Sequence, residues 1–99
     1  MITFLRTASI ASGKVGSALG FAHEISGYLK SHFGLDVTVH MPIGGNPNRV
    51  AWSASYDSLA ALDAMQGRMM ADKDYMGMVA KGSENFLAGS VHDTLWRTV

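Results

Sequence analysis

Ninety-nine residues, with 47% hydrophobic and 16% charged side chains, describe one compact domain and leave no room for a second. Eight Lys+Arg balance eight Asp+Glu, so no clustered cationic face is expected, and this argues against a partner recognised through nucleic-acid phosphates. The absence of Cys excludes disulfides, thiolate metal sites and cysteine nucleophiles, and makes the cytoplasm the expected compartment.

The first element is a strand. Ile2 to Ile10 is rich in β-branched and aromatic residues, and Arg6 inside it, with no small-residue cleavage pattern, sets it apart from a secretory leader. The apolar runs of the chain fall well short of the ~20 residues that span a bilayer, so no membrane partner is expected. Ser12-Gly13 breaks the strand, and Ser12 is the expected N-cap of a helix beginning near Lys14. Val15, Ala18, Leu19, Ala22, Ile25, Leu29 and Phe33 then form one apolar stripe at helical spacing. Gly34 stands where a left-handed C-terminal residue is needed.

Leu35, Val37, Val39, Met41 and Ile43 alternate with Asp36, Thr38, His40 and Pro42, which predicts a second strand. Gly44-Gly45-Asn46-Pro47-Asn48 predicts a turn, and Arg49 to Tyr56 resumes strand character to complete an antiparallel hairpin. Asp57 or Ser58 caps a second helix with Leu59, Leu62, Met65 and Met69 on one face. Asp72-Lys73-Asp74 interrupts it, and a short third helix turns Tyr75, Met76, Val79, Ala80 and Phe86 inward. After Gly89, Val91 to Val99 is the last strand.

Strand, helix, strand, strand, broken helix, strand is the order of an α+β, ferredoxin-like βαββαβ domain spanning residues 1–99. Right-handed crossovers place both helices on one face of a four-stranded antiparallel sheet. The other face is left bare, and the sequence does not make it uniformly polar. Ile2, Phe4, Ala8 and Ile10 share one face of the first strand while Leu5 sits among threonines on the other. In the last strand Val91, Leu95 and Val99 oppose His92, Thr94, Trp96 and Thr98. A two-sided sheet of this kind predicts a homodimer joined through the sheet faces. Covering ~800 Å² per subunit, roughly 60% of it apolar, gives a gross gain of about 12 kcal/mol before association entropy is subtracted.

Motifs with defined chemistry are absent. Gly13-Lys14 lacks the upstream Gly and the following Ser/Thr of a phosphate loop, and Gly13, Gly16 and Gly20 do not form a dinucleotide fingerprint. No helix presents two His at i, i+4, so no metal site is expected, and no cofactor is implied. In the first helix, Gly16, Gly20, His23 and Gly27 fall within an arc of about 60° beside the apolar stripe. That flank is a groove for close packing, the floor of a shallow pocket with His23 as its polar group, or simply an exposed face.

Arg6-Thr7, Gly13-Lys14, Asn48-Arg49-Val50, Tyr56-Asp57-Ser58-Leu59, Ala71-Asp72-Lys73-Asp74-Tyr75 and Gly89-Ser90-Val91 with Leu95-Trp96-Arg97 together resemble the small bacterial NIPSNAP-like proteins. Lys73 departs from the pattern by standing where Pro is common. The resemblance spans nearly the whole chain and implies the dimeric α/β-barrel group, with a ferredoxin-like fold and a two-sheet dimer. That group includes cofactor-free antibiotic-biosynthesis monooxygenases and haem-degrading enzymes. The His-Trp-Asn set of the haem-degrading relatives is not recognisable here.

The resemblance also implies a ligand cavity between helices and sheet. Trp52, Tyr56, Tyr75, Met65, Met69, Met70, Met76 and Met78 are candidates to line it, or are simply adaptable core. Arg6, His40, His92 and Tyr75 are the candidate polar groups. If they faced one cavity, a His would take a proton from a phenol-like substrate while Trp or Arg stabilised the anion. The expected function is therefore binding of an apolar small molecule or cofactor-free monooxygenase-like chemistry. The alternative is a non-catalytic homodimeric assembly module whose cavity is only core, with a void below ~100 Å³.

Overall fold

The computed structural model describes residues 1–99 and arranges them as β1 (Ile2–Ser9), α1 (Val15–Phe33), β2 (Thr38–His40), β3 (Arg49–Tyr56), α2 (Leu59–Ala71), α3 (Lys73–Gly82) and β4 (His92–Arg97). The four strands form one antiparallel sheet in the order β2-β3-β1-β4, the ferredoxin-like arrangement. No helix is long and apolar enough to cross a membrane.

Strand alternation sorts β1 onto two faces. Ile2, Phe4, Arg6 and Ala8 turn toward the helices, and Thr3, Leu5 and Thr7 turn away. The register carries this sorting across the sheet. Phe4 lies opposite Ala54 and Leu95, whereas Arg6 lies opposite Trp52 and Asp93.

The apolar stripe of α1 buries Ala18, Ala22, Ile25 and Leu29 over the sheet. Its C-terminus ends as the sequence predicts, with Gly34 at φ 65°. There the Gly34 N–H donates to Lys30 O at 3.0 Å and the Leu35 N–H to Leu29 O at 3.2 Å. Its N-terminus differs from expectation: Lys14 occupies the cap position without a side-chain hydrogen bond, and Ser12 plays no part. Ser58 caps α2 by accepting from the Ala61 N–H at 3.1 Å. Asp72 separates α2 from α3 in an extended conformation and caps α3 by accepting from the Tyr75 N–H at 2.9 Å. The break therefore needs no proline, and Lys73 is simply the first helical residue.

Three expectations are corrected. The second strand shrinks to three residues, since Met41 and Ile43 leave the sheet and are exposed before the glycine turn. On α3, Met76 and Ala80 face solvent while Tyr75 is buried and Met78 and Val79 pack on the core, so the inward stripe is rotated from the predicted one. The last strand ends at Arg97, with Val99 fully exposed.

Gly82 shows why α1 and α3 can approach: a Cβ there would lie 2.2 Å from the Phe21 ring. Phe21 meets Phe86 edge-on at 5.8 Å between ring centroids, and Phe86 meets Trp52 in the same way at 5.8 Å. The segment after α3 is fastened to the end of β1. Leu87 N–H donates to Ser9 O and Ala11 N–H to Asn85 O, both at 2.9 Å. The helix layer stops short of β4, so Leu95 stays 51% exposed although it lies on the helix side.

Candidate functional site

The short side chains of Ala8 and Ala54 on the sheet, and the gap between α1, α3 and the segment Phe86 to Val91, leave a cavity of about 370 Å³. Seventeen of its twenty-one lining residues are hydrophobic. Phe4, Ala54 and Trp52 form the floor, Phe21, Ile25 and Leu29 of α1 form the roof, and Leu87 and Val91 stand at an exposed rim.

Arg6 breaks this apolar surface. A guanidinium facing the core needs a counter-charge, and the register supplies Asp93 directly across from it. The Arg6 Nε donates to Asp93 Oδ1 at 2.7 Å and Nη2 to Oδ2 at 2.9 Å, a bidentate pair whose side chains keep 37% and 39% exposure. The hydrogen bond to Asp93 holds the guanidinium more firmly protonated than usual, against the opposing effect of burial. Its remaining N–H groups are free of Asp93.

Tyr56 and Tyr75 are buried and line the same cavity. Burial pushes both phenols above their ordinary range, with the nearby Arg6 charge pulling the other way. Both therefore stay protonated at neutral pH. Trp52 lines the cavity too, and its buried Nε1 has no hydrogen-bond partner.

Of the sequence candidates, the fold brings Arg6, Trp52, Tyr56 and Tyr75 around one cavity. It does not bring the histidines there. His40 faces the open side of the sheet, where its Nε2 lies 2.7 Å from Ser53 Oγ. His92 sits opposite Thr7 on that same open side, and His23 is exposed on α1. The histidine base expected from the sequence is thus separated from the cavity by the sheet or by the helix. Gly16, Gly20 and Gly27 border open space, so no other part of the chain packs closely on that flank. Of the methionine set, Met69 lines the cavity, Met65 and Met78 pack on the core, and Met70 and Met76 are exposed. No three His, Asp or Glu side chains gather where they would hold a metal ion.

Sequence reasoning missed Asp93 and the Phe86 to Val91 wall. The signal for Asp93 was present, because Arg6 falls on the apolar side of its strand and must be neutralised. Reading it requires the β1–β4 register, which no short turn sets.

No protein-family profile matches the chain, and no curated protein matches it. Solved structures do. An uncharacterised NIPSNAP domain protein from Burkholderia xenovorans superposes with a TM-score of 0.85 at 18% identity, covering 100% of this chain and 95% of that one. A NIPSNAP family protein of unknown function from Agrobacterium tumefaciens gives 0.79 at 20% identity, covering 99% and 87%. A candidate antibiotic biosynthesis monooxygenase from Deinococcus radiodurans gives 0.74 at 12% identity, covering 100% and 93%. What the chain shares with these proteins is the ferredoxin-like fold.

Proposed function

We propose that this chain binds a small apolar molecule between its helices and its sheet, and does so as a homodimer paired through the open sheet faces. The observation that carries the first part is the cavity: about 370 Å³, overwhelmingly apolar, with a few polar groups on its walls. Ligand sites have this character and run from ~300 Å³ upward. A catalytically silent module whose cavity is only core does not need such a void.

The second part rests on the composition of the open face. Thr3, Leu5, Thr7, Ala51, Ser53, Ser55, Thr94 and Trp96 cover its centre, and none of them is ionised. Trp96 is 62% exposed there. Charge depletion around an exposed aromatic residue is the composition of an interface core.

Cofactor-free oxygenation of the bound molecule is the second reading, favoured by the fold shared with the candidate monooxygenase from Deinococcus radiodurans. In that reading Arg6 and the two phenols stabilise negative charge developing on a substrate oxygen. No histidine lines the cavity, so the substrate proton leaves to solvent, and molecular oxygen is the co-substrate that accepts the electrons.

The test of binding is a titration with N-phenyl-1-naphthylamine, a neutral fluorescent probe. Saturable enhancement at one probe per chain, abolished in a folded Ala54→Phe variant that fills the cavity floor, supports the reading. Enhancement that never saturates, or that survives Ala54→Phe, overturns it.

A further inference from the structure

The polar groups on the cavity wall share one property: each can donate a hydrogen bond, and Arg6 can do nothing else. The Ser53 hydroxyl is turned to the other face of the sheet, against His40 at 2.7 Å. The Ser83 hydroxyl donates to Ala80 O at 2.7 Å. What remains toward the cavity is the unused N–H edge of Arg6 and the hydroxyls of Tyr56 and Tyr75, while Trp52 lines it with its ring and keeps a buried, unpartnered Nε1. The one carboxylate nearby, Asp93, already has both oxygens engaged by Arg6 at 2.7 and 2.9 Å. Burial keeps both phenols protonated, and Arg6 is close enough to influence each of them.

A site with donors and no free strong acceptor selects a ligand that accepts. The charge balance adds a second constraint. Because Asp93 neutralises Arg6, the wall carries no net charge, and an anionic ligand entering this apolar space would lose its hydration without gaining an unpaired cation. We propose, resting on the binding reading above, that the occupant is a neutral apolar molecule whose polar atom is a hydrogen-bond-accepting oxygen of the ketone, aldehyde or ether type, held against Arg6, Tyr56 and Tyr75. An alcohol or amine fits less well, since its own N–H or O–H finds only the weakly accepting phenol oxygens of Tyr56 and Tyr75. A hydrocarbon leaves the donors unanswered.

The experiment compares three molecules of similar shape: 2-acetylnaphthalene, 2-ethylnaphthalene and 2-naphthoate. Each is titrated into the intact protein and followed by quenching of tryptophan emission. The ketone is expected to bind about tenfold more tightly than the hydrocarbon, the value of one hydrogen bond, and 2-naphthoate no better than the hydrocarbon. In Tyr75→Phe and in Tyr56→Phe, each checked for folding by circular dichroism, the preference for ketone over hydrocarbon shrinks toward parity. Equal affinity for ketone and hydrocarbon overturns this inference while leaving the apolar cavity reading intact. Tightest binding of 2-naphthoate also overturns it, in favour of an anion site. Binding of none of the three removes the cavity reading and this inference together.

Discussion

Arg6 and Asp93 stand directly opposite each other on neighbouring strands and close two parallel hydrogen bonds on the helix side of the sheet. A charged pair at this place makes the cavity wall polar without making it charged. Asp93→Asn removes the compensation and leaves Arg6 as an unpaired cation at the cavity. Stability should fall by about 1 kcal/mol, a modest figure because both side chains are more than a third exposed. The order of probe affinities should also invert, with 2-naphthoate now preferred over 2-acetylnaphthalene. Urea denaturation and the quenching titration check the two effects; an unchanged order shows that the pair does not set the charge preference.

Two glycines on facing helices should respond oppositely to alanine. Gly82→Ala places a methyl group on the Phe21 ring, a collision expected to cost about 1–3 kcal/mol and to push the ring toward the cavity, weakening probe binding. Gly20→Ala meets nothing within 4 Å and should instead stabilise α1 by about 0.5–1 kcal/mol. Denaturation midpoints of the two variants decide this, and a destabilised Gly20→Ala would mean that something packs on the glycine flank after all.

The junction of α2 and α3 should make stability depend on pH at both ends of the scale. Asp72 accepts from the Tyr75 N–H and from the Tyr28 hydroxyl, the latter at 2.9 and 3.0 Å. The Tyr75 N–H is the main cause holding the Asp72 carboxyl below its ordinary value of 3.8. A lowered carboxyl contributes its stability in full above that ordinary value and loses it as pH falls through the folded-state value. Desolvation, followed by the bond to Asp72, pushes Tyr28 up to about 12, so its contribution is complete below pH 10 and disappears as pH rises toward 12. Asp72→Ala should lower Tm by about 4–8 °C at pH 7, the effect of losing a helix cap. Melting curves at pH 7 and at pH 2.5 test the sign: the gap between variant and wild type must narrow in acid.

Pairing through the open face predicts that the wild-type chain sediments at twice its 10.6 kDa mass at low micromolar concentration. Leu5→Lys places a cation at the centre of that face and should return the chain to 10.6 kDa with its fold intact by circular dichroism. Wild-type protein that sediments only as the single chain removes the dimer.

Much of the fold is legible in the sequence because its signals are local. The α1 stripe, the Gly34 terminus, the Ser58 cap and the eight residues of β3 each depend on neighbours a few positions away. The errors fall where the outcome depends on distant segments. Met41 and Ile43 continue a perfect alternation yet leave the sheet: pairing with β3 stops at His40 although β3 itself runs to Arg49, and Pro42 has no N–H to continue the ladder. The α3 face is the exception: its ten residues are amphipathic in their own right, yet Met76 and Ala80, read as inward, lie on the outer side while Gly82 lies against Phe21. The site divides in the same way. Its aromatic residues stand out by type, whereas His40 and His92 attract notice by type but lie on the far side of the sheet, a placement fixed by register.

Asp93, Arg6, Trp52 and Val39 form a single row that crosses all four strands. None of these residues belongs to a helix, and each is held by main-chain pairing on at least one side. Under the proposed binding, exchanges along this one transverse line would retune selectivity, by natural variation or by design, while leaving the helical roof untouched.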